Sequence, residues 1–301
     1  MADNWSTPAF ELPPVGARIG PFMSRTWLKT WWNHRGRGDL ILAEADESLL
    51  PLVVDNGVVE FAGEADLTDY HSPLGSPDAP ALDAAMPDLR AGSLLRFDSL
   101  PAEAAAGITA ALRRAEISPS IEEHTVTAVL HLPESFDEYL AALAKKERHE
   151  LRRKRRRFDN EAGPARVERR SGSDAVALFA RLHRLSAGDK GAFMSEKMEA
   201  FFLELHEEAG GVIDMLVTDS GRVASAIFSF EDASGYYLYN SAFEPELQHL
   251  SPGNVMLSHL IERAIEQGKI VFDFLKGDER YKFKLGAEAR PLYLITAKVP
   301  S

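Results

Sequence analysis

"YLYNSAFEPELQHLSPGNVML", residues 237–257, reads as a strand, a polar loop and the start of a helix. Ser251 is a typical N-cap, and Pro252 suits the first helical turn. Gly253 departs from this pattern, because glycine inside a helix costs about 0.5–1 kcal/mol relative to alanine. Easier packing is the simpler explanation of the tripeptide alone. The alternative is a ligand that approaches the backbone, since the free N–H groups of a helix N-terminus suit a phosphate.

The composition predicts a packed protein with one large or two ordinary domains. The chain has 301 residues, of which 45% are hydrophobic and 27% charged. The absence of cysteine excludes thiolate catalysis, Cys-ligated zinc and disulfides. The nine histidines show no metal-ligand spacing, and His183 and His206 are expected to be surface or helix residues. Without a signal-peptide pattern or an apolar run of membrane-spanning length, we expect a cytoplasmic protein that binds no metal and no membrane.

A basic stripe at residues 145–157, "KKERHELRRKRRR", stands out from an acidic chain. It carries a charge of +7, so the remaining residues carry −19 of the net charge of −12. A solvated helix face, a clamp of arginines that bond to the acidic body and lock the two halves, and a contact with RNA are three open explanations. We favour the clamp, because one short stripe on an acidic chain makes poor general nucleic-acid binding.

The pattern of apolar residues predicts an α+β fold in two halves. The first half, residues 1–134, mixes helices with short strands, and its Trp27, Trp31 and Trp32 have the helical spacing of core residues. A single long basic helix is predicted over 135–162. The second half, 163–301, follows the order β-α-α-β-β-β-α-β-α-β, in which a parallel strand after three antiparallel strands leaves a splay in the sheet.

This order resembles that of the GNAT acyltransferases, and Gln248-His249-Leu250-Ser251-Pro252-Gly253 is similar to their phosphate loop, with Ser251 in place of the first Gly. Together with "DFLKGDERYKFKLG", residues 273–286, the loop resembles the cellulose-biosynthesis-type acetyltransferase branch. That branch is similar to the Fem-type transferases, which carry tandem GNAT domains. The resemblance therefore implies tandem GNAT-like domains, each with a mixed central sheet flanked by helices, of which the N-terminal one lacks the phosphate loop and is degenerate.

The resemblance also implies roles for residues of the second half. Acetyl-CoA or another acyl-CoA would be the co-substrate, held by Asn240, Ser241, Ala242, Phe243, Gln248, Ser251, Pro252, Gly253 and Asn254. Tyr281 would protonate the leaving thiolate. Asp278 and Glu279 would orient a cationic amine or accept its proton, and Lys282 would neutralise a carboxylate or phosphate. The alternative is that this charged segment is a salt-bridged surface turn with a purely structural role.

Two other functions stay open. A Fem-type transferase would take its acyl group from aminoacyl-tRNA and use the basic stripe for RNA. A catalytically inactive GNAT-fold protein would only bind its ligands. The acceptor is an amine on a small molecule or a polymer, and amino sugars, amino acids, polyamines and protein lysines all qualify. Asp69-Tyr70-His71 is expected to be a structural turn of the first half.

Overall fold

A computed structural model describes residues 5–300 as two compact units. Met1–Thr127 and Ala289–Ser301 form the first unit, and Ala128–Glu288 form the second. The predicted α+β class is confirmed, since both units combine strands with helices. The units differ from the predicted domain ranges in two places: the boundary falls after Thr127, and the last strand belongs to the first unit.

The described part of the first unit contains three α-helices, and its first three strands form two consecutive antiparallel hairpins. Its elements are α1 (Arg25–Arg35), β1 (Asp39–Ala45), β2 (Ser48–Asp55), β3 (Val58–Phe61), β4 (Leu74–Gly75), α2 (Pro80–Ala85), β5 (Leu94–Leu100), α3 (Ala102–Arg114) and β12 (Glu288–Lys298), while β6 (Ser120–His131) runs across the boundary. The side chain of Ser24 caps α1, and Gly36 follows its last residue. Trp27 and Trp31 are buried in the core, also as predicted.

The second unit carries the predicted β-α-α-β-β-β-α-β-α run with one additional short helix, which lies between the two helices predicted after its first strand. Its elements after β6 are α4 (Phe136–Ala142), α5 (Lys145–Ala162), β7 (Arg166–Arg170), α6 (Ser173–Arg184), α7 (Asp189–Phe193), α8 (Glu196–Glu208), β8 (Val212–Val217), β9 (Val223–Glu231), β10 (Gly235–Phe243), α9 (Pro252–Glu266), β11 (Val271–Lys276) and α10 (Arg280–Lys284). Strands β7 to β10 form an antiparallel meander, and β11 pairs parallel with β10. The apolar face of α9, including Val255, Leu260 and Ile261, packs against this sheet.

The last strand joins the first unit because its partner there is β5. The two strands pair antiparallel from Tyr293 opposite Leu100 to Lys298 opposite Leu94. Alternation of apolar and polar residues correctly predicts the strand. The alternation does not determine which strand β12 pairs with, since any strand edge with a matching apolar pattern could be its partner.

The prediction of one helix over 135–162 is wrong. The chain leaves the helical conformation at Leu143 (φ −64°, ψ 144°) and Ala144 (φ −51°, ψ 140°), which separate α4 from α5. Both residues are good helix formers, so propensity gives no signal of the break. The side chain of Leu143 is buried in the core of the second unit, where a Cβ on Gly286 would lie 3.2 Å from it. Tertiary packing therefore overrides the local preference.

Candidate active site

Strands β10 and β11 separate at the middle of the second unit. They pair only at Gly235, Tyr236 and Tyr237, whereas β10 continues along β9 as far as Phe243. A bulge between Leu238 and Asn240 gives β10 an extra residue at this point. The predicted splay is thus present in the second unit. It leaves the β11-facing edge of Asn240–Phe243 outside that ladder, and such an edge can pair with an extended ligand.

The loop after β10 leads into α9 through a strained residue. Pro245–Leu250 forms a 3-10 helix, and Ser251 then adopts a left-handed conformation with φ 56° and ψ 48°. This conformation favours glycine, the residue that the resembling phosphate loops carry at this position. Ser251 precedes the helix, but the expectation of an ordinary side-chain cap is wrong. Its hydroxyl instead accepts a hydrogen bond of 3.0 Å from Arg157 of α5.

The space around Gly253 is open. A Cβ built on this residue meets no atom within 4 Å, and its backbone is helical, so neither packing nor conformation requires glycine. Its N–H donates to no acceptor among residues 5–300, whereas the N–H of Asn254 donates to the carbonyl of Ser251. The packing explanation of Gly253 therefore fails, and an approach of a ligand to the backbone remains.

A basic cavity of about 470 Å³ lies beside this helix start. Asn254 from the first turn of α9 and Lys284 from the end of α10 line it, together with residues of α5. Its charged lining comprises Lys146, Arg153, Lys154, Lys284, Glu147 and Glu150. The cations outnumber the carboxylates, and burial lowers the pKa of Lys154, with the charge of Lys284 adding to the effect and Glu150 opposing it. An anion in the cavity would relieve this repulsion.

The basic stripe is therefore part of the site's surroundings. On α5, Arg155 pairs with Glu262 of α9 at 2.8 Å and Arg148 donates to the carbonyls of Leu140 and Ala141. The predicted bonding of arginines to acidic groups is present, but these contacts join helices of the same unit, so they are not the expected lock between two halves. Arg152 and Arg156 are exposed.

The charged segment after β11 is held by a buried lysine. Leu275 has a left-handed φ of 59°, and its N–H donates to the buried carboxylate of Asp273 at 2.7 Å. The ammonium of Lys282, only 3% exposed, donates to the carbonyls of Leu275, Lys276 and Gly277 at 3.3, 2.7 and 3.2 Å. It also pairs with Glu279 at 2.8 Å. These protein acceptors occupy the ammonium, so the structure does not support its predicted role toward a carboxylate or phosphate.

The two acidic residues of the segment differ in environment. Burial alone would raise the pKa of Glu279, but the hydrogen bond and charge of Lys282, helped by Lys190, hold that pKa below its usual value. Glu279 is therefore a weak base. Asp278 is exposed and makes no hydrogen bond or ion pair within the described chain, so its carboxylate is available to a cationic group.

Tyr281 lies on α10 with its ring against the core and its hydroxyl without a hydrogen-bond partner among residues 5–300. Its ring meets Phe274 edge-on at 6.3 Å. Burial, together with the charge of Glu279, raises its pKa to about 12. The hydroxyl stays protonated at neutral pH, and it can donate to a ligand atom at no cost to an existing contact.

A buried pair on β10 and α6 escaped the sequence analysis. His183 lies on helix α6, one of the two positions expected for it, and is only 1% exposed; its Nε2 lies 2.9 Å from Oδ1 of Asn240. That oxygen also accepts from the Ser241 N–H at 2.9 Å, so Nε2 carries the hydrogen. Burial, then the charge of Lys190, lowers the pKa of His183 to about 4. The neutral ring therefore fixes Asn240 at the splay. The resemblance named Asn240 as a donor-binding residue, but nothing in the sequence indicated its contact with His183.

Residues 145–283 match the acetyltransferase (GNAT) domain family. This range covers α5 to α10 and includes the splay, the Gly253 helix start and Tyr281, so the second unit has the GNAT acetyltransferase fold. No curated protein matches the chain significantly in sequence.

Solved structures share the fold over almost the whole chain. A conserved protein of unknown function from Bacteroides thetaiotaomicron has a TM-score of 0.64 and 13% identity, over 96% of this chain and 93% of its own. FemX has a TM-score of 0.63 and 13% identity, over 95% and 93%. L-PGS from Bacillus licheniformis has a TM-score of 0.60 and 12% identity, over 89% and 90%. The predicted α+β fold with a mixed sheet flanked by helices is confirmed, and at these identities the similarity concerns the fold alone.

Residues 5–300 contain neither a metal-ligand cluster nor a helix fit to cross a membrane. Among residues 5–300, no group of three or more His, Asp or Glu side chains is arranged to hold a metal ion. No helix in this range combines the length and the apolar character that a membrane crossing requires.

Proposed function

We propose that the second unit transfers an acetyl or other acyl group from acyl-CoA to an amine by direct attack, without an acyl-enzyme. The observation that carries the proposal is the open backbone at Gly253 beside a basic cavity. A helix N-terminus with a free N–H, an unobstructed glycine and neighbouring lysines is a combination that suits a pyrophosphate.

In this proposal the phosphates of the donor lie at the N–H of Gly253 and the side chain of Asn254. Ser251 and Pro252 shape the turn, and Gln248, which is exposed, opens the same loop. Lys154 and Lys284 supply the balancing charge from the cavity. The pantetheine arm then pairs with the free edge of β10 at Asn240, Ser241, Ala242 and Phe243, whose backbone N–H groups polarise the thioester carbonyl.

The chemistry uses the segment after β11. The amine nitrogen attacks the thioester carbonyl, the C–S bond breaks, and the hydroxyl of Tyr281 gives its proton to the departing thiolate sulfur. Asp278 holds the ammonium form of the acceptor and takes the proton that it loses before attack; the second proton, lost from nitrogen as the C–S bond breaks, returns to the oxygen of Tyr281. Glu279 and Lys282 keep the loop between β11 and α10 in place, and His183 keeps Asn240 in place. The cellulose-biosynthesis-type branch of this class and a cytoplasmic location belong to the same proposal.

A second candidate is transfer from aminoacyl-tRNA. It is favoured by Arg152 and Arg156, which are exposed on α5 near the basic cavity and take part in no ion pair among residues 5–300. An aminoacyl-tRNA presents a phosphate backbone beside its ester, and such a donor gains from additional cations. A third possibility is a protein that binds the donor and transfers nothing.

One experiment separates the three. The purified protein is incubated with acetyl-CoA and a library of amines, and the products are analysed by mass spectrometry, while retention of tRNA is measured at moderate salt. The proposal expects an amine product gaining an acetyl group and an acetyl-CoA-dependent rise in Tm, because a ligand specific for the folded state stabilises it. Retention of tRNA without any effect of acetyl-CoA would favour the second candidate. A rise in Tm without any product would favour the third.

A further inference from the structure

A second cavity lies within the first unit, among residues to which the proposed transfer assigns no role. Its volume is about 250 Å³. Strands β2, β3 and β5, helix α1 and the loop after β3 supply its lining, which includes Trp31, Phe61, Glu64, His71, Arg96 and Asp98. The predicted role of Asp69-Tyr70-His71 as a structural turn fits Tyr70, whose hydroxyl donates to Thr127 at 2.6 Å. It leaves His71 unexplained.

His71 is 2% exposed and presents one nitrogen with no partner. Its Nδ1 lies 3.1 Å from the carbonyl and 3.2 Å from the carboxylate of Asp98. Both atoms are acceptors, so Nδ1 carries the hydrogen and Nε2 of the neutral ring is an acceptor. Within the described residues, Nε2 is buried without a hydrogen bond. Gly63 keeps bulk away from this nitrogen, since a Cβ there would lie 3.2 Å from it.

Trp31 adds an unpaired donor to the same cavity. Its side chain is 4% exposed, and its Nε1–H is buried without a hydrogen bond in the described part of the chain. The indole lies toward Glu64 and contributes to lowering the pKa of that carboxyl, but no hydrogen bond between the two is completed. A buried polar group without a partner destabilises the folded state. Two such groups in one cavity indicate a ligand that offers both a donor and an acceptor.

The charge of the cavity defines that ligand further. Five carboxylates line it, from Asp55, Glu60, Glu64, Asp66 and Asp98. Three arginines form ion pairs with four of these carboxylates. Arg96 pairs with Glu60 and Asp98 at 2.8 and 3.1 Å. Arg37 pairs with Asp55 at 3.7 Å, and Arg35 pairs with Glu64 at 2.7 Å. Two negative charges are left in excess, and Asp66 is exposed without an ion pair in residues 5–300.

We infer that this cavity binds a small protonated amine that also carries a hydroxyl or carbonyl group. The ammonium donates to Nε2 of His71 and balances the excess carboxylates, and the oxygen accepts from Nε1–H of Trp31. The cavity is smaller than the roughly 300–1,000 Å³ of sites for drug-sized ligands. It suits a molecule the size of an amino sugar or an amino acid ester. The inference does not depend on acyl transfer by the second unit.

NMR of the full-length, ¹⁵N-labelled protein tests the inference. The indole N–H signals are recorded during titration with glucosamine, lysine methyl ester and putrescine, and the Trp31→Phe variant assigns the signal of Trp31. We expect glucosamine or lysine methyl ester to shift the Trp31 signal with saturation. N-acetylglucosamine, which has the same ring without the charge, should bind at least tenfold more weakly. Putrescine lacks the oxygen and should also bind more weakly.

Calorimetry with the Asp66→Asn variant tests the inference without replacing the buried Trp31. Asp66 is exposed, so this variant should fold normally and bind the amine several-fold more weakly. Asp88→Asn, an equally exposed change in the same unit, should bind like the wild type. The inference is overturned if no amine of the panel shifts the Trp31 signal at millimolar concentration, or if N-acetylglucosamine binds as well as glucosamine.

Discussion

Arg157 of the basic helix donates a hydrogen bond of 3.0 Å to the hydroxyl of Ser251, the left-handed residue that opens α9. Its Nε is buried without a partner in the described chain. The guanidinium thus holds the loop before α9 with one nitrogen and leaves another without a partner in the described chain. This contact links the basic stripe, which reads from sequence as a separate feature, to the proposed donor site.

Replacement of Arg157 by methionine should weaken acetyl-CoA binding by about tenfold, or 1.4 kcal/mol, since a charged hydrogen-bond donor next to the phosphates is lost. Isothermal calorimetry measures the change. Arg152→Met removes an exposed arginine of the same helix and should leave the affinity within twofold, if the donor is acyl-CoA. Equal losses in the two variants would show a general charge effect and contradict the specific role of Arg157.

We expect Lys282 to have a structural role and Lys284 to have a role in donor binding. Lys282→Met leaves the carbonyls of Leu275, Lys276 and Gly277 without their donor, so the free energy of unfolding should fall by at least about 2 kcal/mol. Lys284→Met changes the cavity lining and should lower acetyl-CoA affinity with little change in stability. Chemical denaturation and calorimetry measure the two effects. A reversal of the two phenotypes would contradict the assignment.

Tyr281→Phe should reduce kcat by about 10²–10⁴-fold, the usual contribution of general-acid assistance, with acetyl-CoA affinity unchanged. No hydrogen bond of the described chain is lost, so the Tm should stay the same. With a thioester whose thiol is more acidic, Tyr281→Phe should reduce kcat by a smaller factor. Tyr237→Phe is the matched control: it removes a hydroxyl bonded to Asp232 at 2.9 Å and should lower the Tm while kcat holds. Wild-type kcat in Tyr281→Phe would leave the mechanism without an acid.

Acid should destabilise the second unit through Asp214. This buried carboxylate accepts hydrogen bonds from Arg169 and Arg263. Burial alone would raise its pKa, but the two arginines hold the pKa below its usual value. The folded protein therefore binds the proton less readily than the unfolded chain. The contribution to stability is complete above about pH 4 and is lost as pH falls through the lowered folded pKa.

Asp214→Asn measures that contribution. Because it breaks a buried ion pair, we expect a loss of at least about 3 kcal/mol at pH 7 and a weaker dependence of stability on pH below 4. Asp88→Asn, an exposed change, should alter neither. If the stability of Asp214→Asn fell below pH 4 as steeply as that of the wild type, other carboxylates would dominate acid unfolding.

Local patterns predicted what local forces decide. Period-two and helical spacing correctly predicted most helices and strands of both units. The helix break at Leu143 is set by a distant core contact, and local propensity points the other way. For the same reason, the partner of β12 and the pairing of His183 with Asn240 lie beyond single-sequence reading.

The candidate site also combines features that the local sequence indicates with features that only the folded structure shows. The open start of α9 at Gly253 and the position of Tyr281 after β11 are legible in the sequence, because a motif and a strand end mark them. The burial of Lys282 is not, since its acceptors are backbone carbonyls of a loop that only the left-handed turn at Leu275 brings together. Charge alone suggested a role toward substrate there.

Calorimetry of acetyl-CoA binding to the wild type and Gly253→Val tests the central claim most directly. A valine at this position meets no protein atom within 4 Å of its Cβ, so the fold should persist with little change in Tm. The branched side chain would occupy the space in which the pyrophosphate approaches the backbone. We expect wild-type binding and at least a tenfold loss in the variant, about 1.4 kcal/mol. Equal affinity of the two proteins for acetyl-CoA, or no binding by the wild type, would contradict the proposed donor site.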